Sequence, residues 1–323
     1  MFENERVTKY NLNMKNYYKV ILGKQHSWFK KCYEGGYIGL NYDMDINFAE
    51  YLPDSWREFN KRYIPYYLEK HPDASKIAAG LACGNLHAIS KSLEIGHVVL
   101  CRNEIGEYYF GEIISDYKYY PDRTPLHCRD VKWLNITCTK EDFSPELQTS
   151  LSSSGAVVNL NKYSEEIESL ISGSKPETLY SSDETVENPS MFALEDHLED
   201  FLIKNWDKTD LATKYELFED EEAGLFGKQF QTDTGFIDIL AVSKDKKEVL
   251  VIELKKGRAS DRVVGQIQRY MGYIKDEFLE TGQVVKGLII ALENNKGIER
   301  ALKVTNDISF YKYKVNFELE KIF

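Results

Sequence analysis

Apolar and polar positions alternate most regularly between residues 230 and 273. Residues 236–242 (FIDILAV) alternate and then run apolar, while residues 249–254 (VLVIEL) are apolar and mostly β-branched. The lysine-rich segment 244–247 (KDKK) lies between them. Apolar stretches of this length, joined by a short polar segment, predict a hairpin of buried strands. A helix is predicted to follow, at about residues 261–280.

Three charged residues interrupt these apolar strands. Asp238 lies in the first strand, and Glu253 and Lys255 lie near the end of the second. Because the side chains of a strand alternate, Glu253 and Lys255 share one face, and an in-register hairpin places Asp238 beside Glu253. Two carboxylates and a lysine are costly to bury unless they bind something. A hard divalent cation such as Mg²⁺ is the ligand that this set predicts.

The same residues resemble a known nuclease signature. Asp238 followed by residues 253–255 (ELK) is similar to the D-x(n)-E-x-K pattern of the PD-(D/E)XK nuclease superfamily. Gln266 and Tyr270 lie four positions apart, on one face of the next helix. The whole string (G-x-I-D-x-L, V-I-E-L-K-x-G-x-A and G-Q-x-x-R-Y) resembles the nuclease domain of archaeal and actinobacterial mismatch or branched-DNA endonucleases. Related domains occur in prokaryotic restriction and phage-defence proteins. The alternative is a surface hairpin with solvated charges, but here the charges interrupt the strands rather than the turn.

The resemblance implies a metal-dependent catalytic site. The catalytic residues that it implies are Asp238, Glu253, Lys255, Gln266, Tyr270 and Glu195. The implied metal ligands are Asp238, Glu253, the carbonyl of Leu254 and, through water, Glu195, with Mg²⁺ or Mn²⁺ as the cofactor. Glu195 is expected on the first helix of the core, and Glu199, one turn further along, is the alternative. The implied DNA contacts are Lys256, Arg258, Arg262 and Arg269, which equally fit a role in solubility.

The front half of the chain has the pattern of a small β-rich domain. Short apolar stretches separated by turn residues between positions 96 and 137 predict a curved sheet or barrel. Residues 33–42 (YEGGYIGLNY), 96–100 (GHVVL), 108–117 (YYFGEIISDY) and 127–133 (HCRDVKW) resemble PUA-, EVE- or YTH-like reader modules of modification-dependent restriction proteins. Such modules hold one base, taken out of the stack, between aromatic rings. The base-pocket candidates are Trp28, Tyr33, Tyr37, Trp56 and Tyr117, and each also fits an ordinary core position.

We therefore predict an α+β chain of two domains. Residues 1–150 are expected to form a PUA/EVE-like β-barrel with helices, and residues 191–323 an α/β restriction-endonuclease-like core, an αβββαβ mixed sheet. Residues 151–190 are predicted to be a linker with a short helix, because they are polar and rich in turn-forming residues. The five cysteines are scattered without a CxxC pair, which favours reduced thiols in a cytoplasmic protein. No stretch has the length and apolarity of a membrane span, and the polar start is unlike a signal peptide.

Composition limits the function without deciding it. A formal net charge of -11 argues against a uniformly basic nucleic-acid coat, but a nuclease needs only local basic patches. The leading hypothesis is a Mg²⁺-dependent DNA endonuclease of a restriction or phage-defence system, whose front domain recognises a base, modified or unmodified, in double-stranded DNA. The alternatives are a repair endonuclease for mismatched or branched DNA and a catalytically inactive nucleic-acid-binding protein. A homodimer is expected, because many nucleases of the superfamily cut both strands as dimers.

Overall fold

Two large sheets and the helices beside them form the fold. The computed structural model describes residues 15–153, 155–173, 198–220 and 225–314. The strands are β1 (Tyr17–Val20), β2 (Tyr37–Leu40), β3 (Val98–Arg102), β4 (Tyr108–Ile113), β5 (Lys118–Tyr119), β6 (His127–Cys138), β7 (Val157–Asn159), β8 (Tyr215–Leu217), β9 (Glu219–Asp220), β10 (Leu225–Phe226), β11 (Lys228–Gln231), β12 (Phe236–Ser243), β13 (Glu248–Arg258), β14 (Val284–Glu293) and β15 (Ile308–Lys312). The α-helices are α1 (Phe29–Gly35), α2 (Trp56–Lys70), α3 (Lys76–His87), α4 (Pro145–Ser152), α5 (Ser164–Ser172), α6 (198–204), α7 (Arg262–Glu277) and α8 (Lys296–Leu302). Within these ranges no helix is long and apolar enough to cross a membrane.

The first sheet is open. Its strand order is β2-β6-β4-β3-β1-β7, with β5 paired to β6. β1 and β3 run parallel, and the other neighbours are antiparallel. The end strands β2 and β7 do not pair with each other in the described part of the chain, so the predicted curved sheet curls into a half-barrel and does not close into a full barrel. Both end strands are short, and a short edge exposes few unpaired backbone groups, so closure is not needed. The PUA- or EVE-like identity stays a prediction.

The ordered front part extends into the segment predicted as a linker. Residues 157–159 form β7, which pairs with β1 in the register Tyr18↔Asn159. After it, α5 packs Ile167 into the same apolar cluster as Phe110 and Leu147. The remainder of the predicted linker, residues 174–190, lies outside the described residues.

The second sheet is mixed and has helices on both faces. Its order is β11-β12-β13-β14-β15, with β8 also paired to β12. β11, β12 and β13 are antiparallel, whereas β13, β14 and β15 are parallel. α7 buries Ile267 and Ile274 against one face, and Leu198 and Trp206 pack against the other. The succession α6, β11 to β13, α7 and β14 follows the predicted αβββαβ order.

The hairpin of β12 and β13 positions the charged residues. Ile239 pairs with Ile252, and Val242 with Val249. Ser243 closes the turn, because its Oγ accepts hydrogen bonds from the backbone N–H groups of the first residues of the returning chain. Extended by one residue, this register sets Asp238 opposite Glu253, at the end of the hairpin away from the turn.

The front part and the second sheet share a core. Ile77 and Ala78 of α3 belong to the apolar cluster that contains Phe230 and Phe278. Gly80 faces the Phe278 ring so closely that a Cβ at this position would lie 2.3 Å from a ring carbon. The two units are therefore joined by packing as well as by the chain that connects them.

Candidate active site

Asp238, Glu253 and Lys255 lie together at the end of the hairpin. Asp238 Oδ2 accepts a hydrogen bond of 2.7 Å from the backbone N–H of Leu254. Lys255 Nζ lies 3.2 Å from Glu253 Oε1. Glu253 is only 1% exposed, so its charge is held inside the protein. Strand alternation and hairpin register, both read from the sequence, bring these three side chains together. The predicted role of the Leu254 carbonyl as a metal ligand stays a prediction.

Glu199 of α6 also reaches this cluster. Its side chain is 2% exposed and accepts a hydrogen bond from Gln229. Burial raises the pKa of Glu199 to about 8, and the negative charge of Asp238 adds to the rise. Lys228 Nζ, 3.3 Å from Glu199 Oε1, acts in the opposite direction. Glu195, the residue preferred from the sequence, lies outside the described residues.

Gln229 is a member of the cluster that the sequence did not single out. Its Nε2 donates one hydrogen bond to Glu199 Oε2 and another, of 3.2 Å, to Asp238 Oδ1. It is 7% exposed, on a strand, β11, that was not predicted as separate from β12. The available signal was the sequence TDTG at 232–235, a turn between two apolar stretches. With that turn recognised, Gln229 falls opposite Asp238.

The helix α7 lines one side of the site with Gln266 and Tyr270. Gln266 Nε2 donates to the Tyr270 hydroxyl at 3.3 Å. Burial raises the pKa of Tyr270, and the nearby charges of Glu253 and Asp238 add to the rise. The Tyr270 hydroxyl lies against Gly235, where a Cβ would be 2.6 Å from the oxygen. The structure thus brings the predicted pair of α7 residues to the two carboxylates of the hairpin.

The donor set fits a divalent cation in its charge and chemistry. Glu199 and Asp238 accept hydrogen bonds from one amide, and Glu253 stands opposite Asp238. Burial is the main cause of the raised pKa of Glu199, and the negative charge of Asp238 adds to it. Glu199 Oε1 is buried and makes no hydrogen bond, although Lys228 is near. Carboxylate oxygens are the ligands that Mg²⁺ and Mn²⁺ prefer. Among the residues that the structure describes, no three His, Cys, Asp or Glu side chains stand ready to hold a metal, so these carboxylates would have to move closer to one another.

The four predicted DNA contacts lie around the site, with different partners. Arg262 and Arg269 are exposed on α7, at positions that share a helical face with Gln266. Arg258 is exposed and paired with Glu293 at 2.9 Å. Lys256 is half-buried, and its backbone oxygen accepts a hydrogen bond from the Tyr313 hydroxyl.

Two of the base-pocket candidates belong to interior or inter-unit packing. The Tyr117 hydroxyl is hydrogen-bonded to His127 Nδ1 at 2.8 Å, and its ring stacks on Phe48. The Trp56 ring lies 6.4 Å from that of Tyr273, on α7. Neither ring is placed to enclose a base.

The other three candidates lie apart from these. Tyr33 is 39% exposed and stacks on Phe29 in a surface group of rings that includes Trp133. Tyr37 is buried under the guanidinium of Arg123. Trp28 packs against Gly23. Among the described residues no ring contact joins any two of the five candidates, and the base pocket stays a prediction.

Two family models match the chain. Residues 195–316 match the family described as Endonuclease NucS C-terminal domain. Residues 18–161 match the family described as Domain of unknown function (DUF8426). The first match confirms the resemblance of the C-terminal part to a restriction-endonuclease-like nuclease domain. The second assigns no activity to the front part.

The related proteins share only part of this chain. An Endonuclease NucS of Methanocaldococcus jannaschii is 35% identical over 79 residues, which cover 24% of this chain and 29% of that protein. An Endonuclease NucS of Pyrococcus horikoshii is 30% identical over 76 residues, which cover 24% of this chain and 28% of that protein. The match thus spans less than a third of these curated relatives. The crystal structure of a repair endonuclease from Pyrococcus abyssi is similar at 15% identity with a TM-score of 0.31, covering 64% of this chain and 62% of that one.

Proposed function

We propose that the chain is a divalent-cation-dependent DNA endonuclease. The observation that carries the proposal is the convergence of Asp238, Glu253 and Lys255 with Glu199 inside a region that matches an endonuclease domain family. Buried charges of this kind are costly to fold, so their presence favours a functional reason for keeping them. Phosphodiester hydrolysis needs stabilisation of negative charge on the phosphate, which this set supplies once a cation is present.

Asp238, Glu253 and Glu199 are the residues that would hold Mg²⁺ or Mn²⁺. The bound cation would polarise the scissile phosphate and acidify a water molecule. Lys255, whose Nζ lies 3.2 Å from Glu253 Oε1, would place its positive charge beside the phosphate and orient the attacking water. Gln266 and the Tyr270 hydroxyl, already hydrogen-bonded to each other, would position the water or the DNA backbone. The exposed cations Arg262 and Arg269 would contact neighbouring phosphates.

The front part would select the DNA. In the described residues no ring contact joins any two of Trp28, Tyr33, Tyr37, Trp56 and Tyr117, which favours recognition of a DNA structure, such as a mismatch or a branch, over a modified base held between them. Two relatives of the C-terminal part are named Endonuclease NucS, which agrees with DNA cutting. Restriction of modified DNA is the second candidate, because the exposed ring of Tyr33, packed against Phe29 and Trp133, offers a stacking surface. Cutting both strands would be explained by a homodimer, which light scattering with and without DNA measures.

Cleavage of a panel of labelled duplexes tests the proposal. The panel holds matched, mismatched, branched and 5-methylcytosine-containing DNA, each with Mg²⁺, with Mn²⁺ and with EDTA. We expect cation-dependent cutting that Asp238→Asn and Lys255→Met reduce by at least about a hundredfold. Asp276→Asn and Lys275→Met, exposed residues of α7, are the matched controls and should cut as the wild type does.

The outcomes separate the candidates. Preference for mismatched or branched duplexes supports a repair-type endonuclease, and preference for 5-methylcytosine supports a restriction enzyme. DNA binding without cleavage under every condition would contradict the enzyme proposal and leave a binding protein. Cleavage that survives both Asp238→Asn and Lys255→Met would place the chemistry elsewhere.

A further inference from the structure

We propose that Gln229 is the positioning residue that assembles the carboxylate set for the cation, by holding Glu199 of α6 beside Asp238 of β12. The inference rests on the proposed function and adds to it a residue that neither the signature string nor the comparisons single out. It concerns the binding of the cation itself, which can be measured without DNA.

The amide of Gln229 is fully used by the two carboxylates. An amide NH₂ group has two hydrogens. In Gln229 one is donated to Glu199 Oε2 and the other, at 3.2 Å, to Asp238 Oδ1. A hydrogen bond to an ionised acceptor is stronger than a neutral one, and the two bonds bring the side chains of Glu199 and Asp238 to the same donor group.

The sheet register explains how Gln229 reaches both partners. Lys228 pairs with Ile239, and Phe230 with Ile237, so Gln229 stands opposite Asp238. Asp238 in turn stands opposite Glu253 by the register of the hairpin. Gln229, Asp238 and Glu253 thus form one row across three strands. Glu199 comes from a helix outside the sheet, and Gln229 ties it to that row.

The backbone at Gln229 is held in a costly conformation. Its φ is 48°, in the left-handed region, although it is not a glycine. Such a conformation costs about 1–2 kcal/mol for an ordinary residue. Backbone strain of this kind persists where the surrounding structure enforces it, and it is frequent at functional sites. The neighbouring pairs on both sides of Gln229 remain in register, so the strain is confined to the residue whose side chain makes the bridge.

The bridge lowers the cost of gathering the ligands. Without it, Glu199 and Asp238 would lose the donor that they share. With it, the two side chains are already held to one donor group, and less ordering remains to be done when they close on a cation. Residues that orient metal ligands in this way typically change metal affinity by about 10- to 100-fold when replaced.

Calorimetric titration of the full chain with Mn²⁺, in the absence of DNA, tests the inference. Gln229→Met keeps the length of the side chain and removes both donors. We expect its dissociation constant for Mn²⁺ to rise at least about tenfold. The matched control is Gln231→Met, on the same strand, which should bind as the wild type does. Single-turnover cleavage should need correspondingly more Mn²⁺ for half-saturation in Gln229→Met, with the KM for DNA unchanged.

Each result decides between the alternatives. Unchanged Mn²⁺ affinity in Gln229→Met, with or without a lower Tm, would show a structural role and overturn the inference while leaving the proposed function intact. Absence of Mn²⁺ binding by the wild type would overturn both. If Gln229→Met does not fold, Gln229→Asn replaces it, because the shorter amide cannot reach both carboxylates, and the same loss of affinity is expected.

Discussion

At the scale of single residues, Gly235 leaves the space that the Tyr270 hydroxyl occupies. The φ of Gly235 is 147°, a conformation that residues with a Cβ rarely adopt, and a Cβ would lie 2.6 Å from the Tyr270 hydroxyl oxygen. Gly235, three positions before Asp238, therefore permits α7 to approach β12 closely.

We expect Gly235→Ala to destabilise the protein by about 1–3 kcal/mol and to reduce cleavage, because it strains the backbone and displaces Tyr270. In a Tyr270→Phe background the hydroxyl contact is gone, so the same substitution should cost less. Urea denaturation of the four proteins of this double-mutant cycle measures the coupling. Equal costs in both backgrounds would contradict the contact.

Lys19 is buried inside the front unit and titrates at an unusual pH. Burial lowers its pKa to about 7. Its Nζ donates to the carbonyl of Ser153 at 2.5 Å and to Ser153 Oγ at 3.1 Å. Because the usual lysine pKa is near 10.5, the unfolded chain binds more protons than the folded one between pH 7 and 10.5, and stability rises with pH across that window.

We expect the free energy of unfolding of the wild type, relative to Lys19→Met, to increase by about 2 kcal/mol from pH 7 to pH 9. Chemical denaturation of both proteins at pH 7, 8 and 9 checks this. Subtracting one free energy of unfolding from the other cancels the contribution of the titratable groups that both proteins share. A difference that stays constant with pH would mean that Lys19 keeps its ordinary pKa in the fold.

The residues of the candidate site were predictable from the sequence to the extent that one hairpin fixes them. Asp238, Glu253 and Lys255 lie on two strands whose pairing follows from apolar alternation and a short turn. Glu195 was preferred to Glu199, because both lie on one broad face of the predicted helix and only packing decides which side chain enters the site. Gln229 was missed because the turn at residues 232–235, which sets it opposite Asp238, was not recognised.

At the scale of elements, the contact of α3 with the end of α7 joins the front part of the chain to the unit built on the second sheet. Arg57, at the start of α2, adds an ion pair of 2.6 Å to Glu277 and one of 3.5 Å to Asp233, in the turn before β12. Lys76 Nζ donates to the backbone oxygen of Leu279 at 3.2 Å. These contacts lie next to the Phe278 ring that faces Gly80.

The two glycines of α3 give a matched test of this contact. A Cβ at Gly80 would meet the Phe278 ring at 2.3 Å, whereas a Cβ at Gly84 would meet nothing within 4 Å. Both gain about 1 kcal/mol of helix propensity as alanine. We therefore expect Gly84→Ala to raise the Tm and Gly80→Ala to lower it. A rise in both would show that α3 does not pack on Phe278 as described.

The elements themselves were predicted unevenly. β12, β13 and β14 were found because they are long and apolar, and β3, β4 and β6 because they alternate, whereas β8 and β11 of the second sheet were missed. β7 was assigned to a linker, since its few residues follow a serine-rich stretch and take their strand form from pairing with β1. Pairing with a distant strand is a tertiary effect that no local pattern of residues 157–159 contains.

At the scale of the whole molecule, residues far apart in sequence fill one core. Ile77 and Ala78 pack with Phe230, Ile237 and Phe278, so the nuclease sheet is completed by a helix of the front part. We expect one cooperative thermal transition for the chain, because neither unit closes its apolar surface alone. Calorimetry measures this, and two separate transitions, or a stable isolated fragment 191–323, would contradict it.

The shared core also has a geometric consequence for the substrate. If α3 is fixed on α7, DNA bound by the front part would lie at a constant distance from the bond that is cut. The peptide between the units would not determine this distance. Inserting about ten glycine and serine residues after Ser181 should leave the cleavage positions on a defined duplex unchanged. Cleavage spread over a wider range of positions would mean that the connecting peptide, and not the packing of α3, sets the reach of the nuclease.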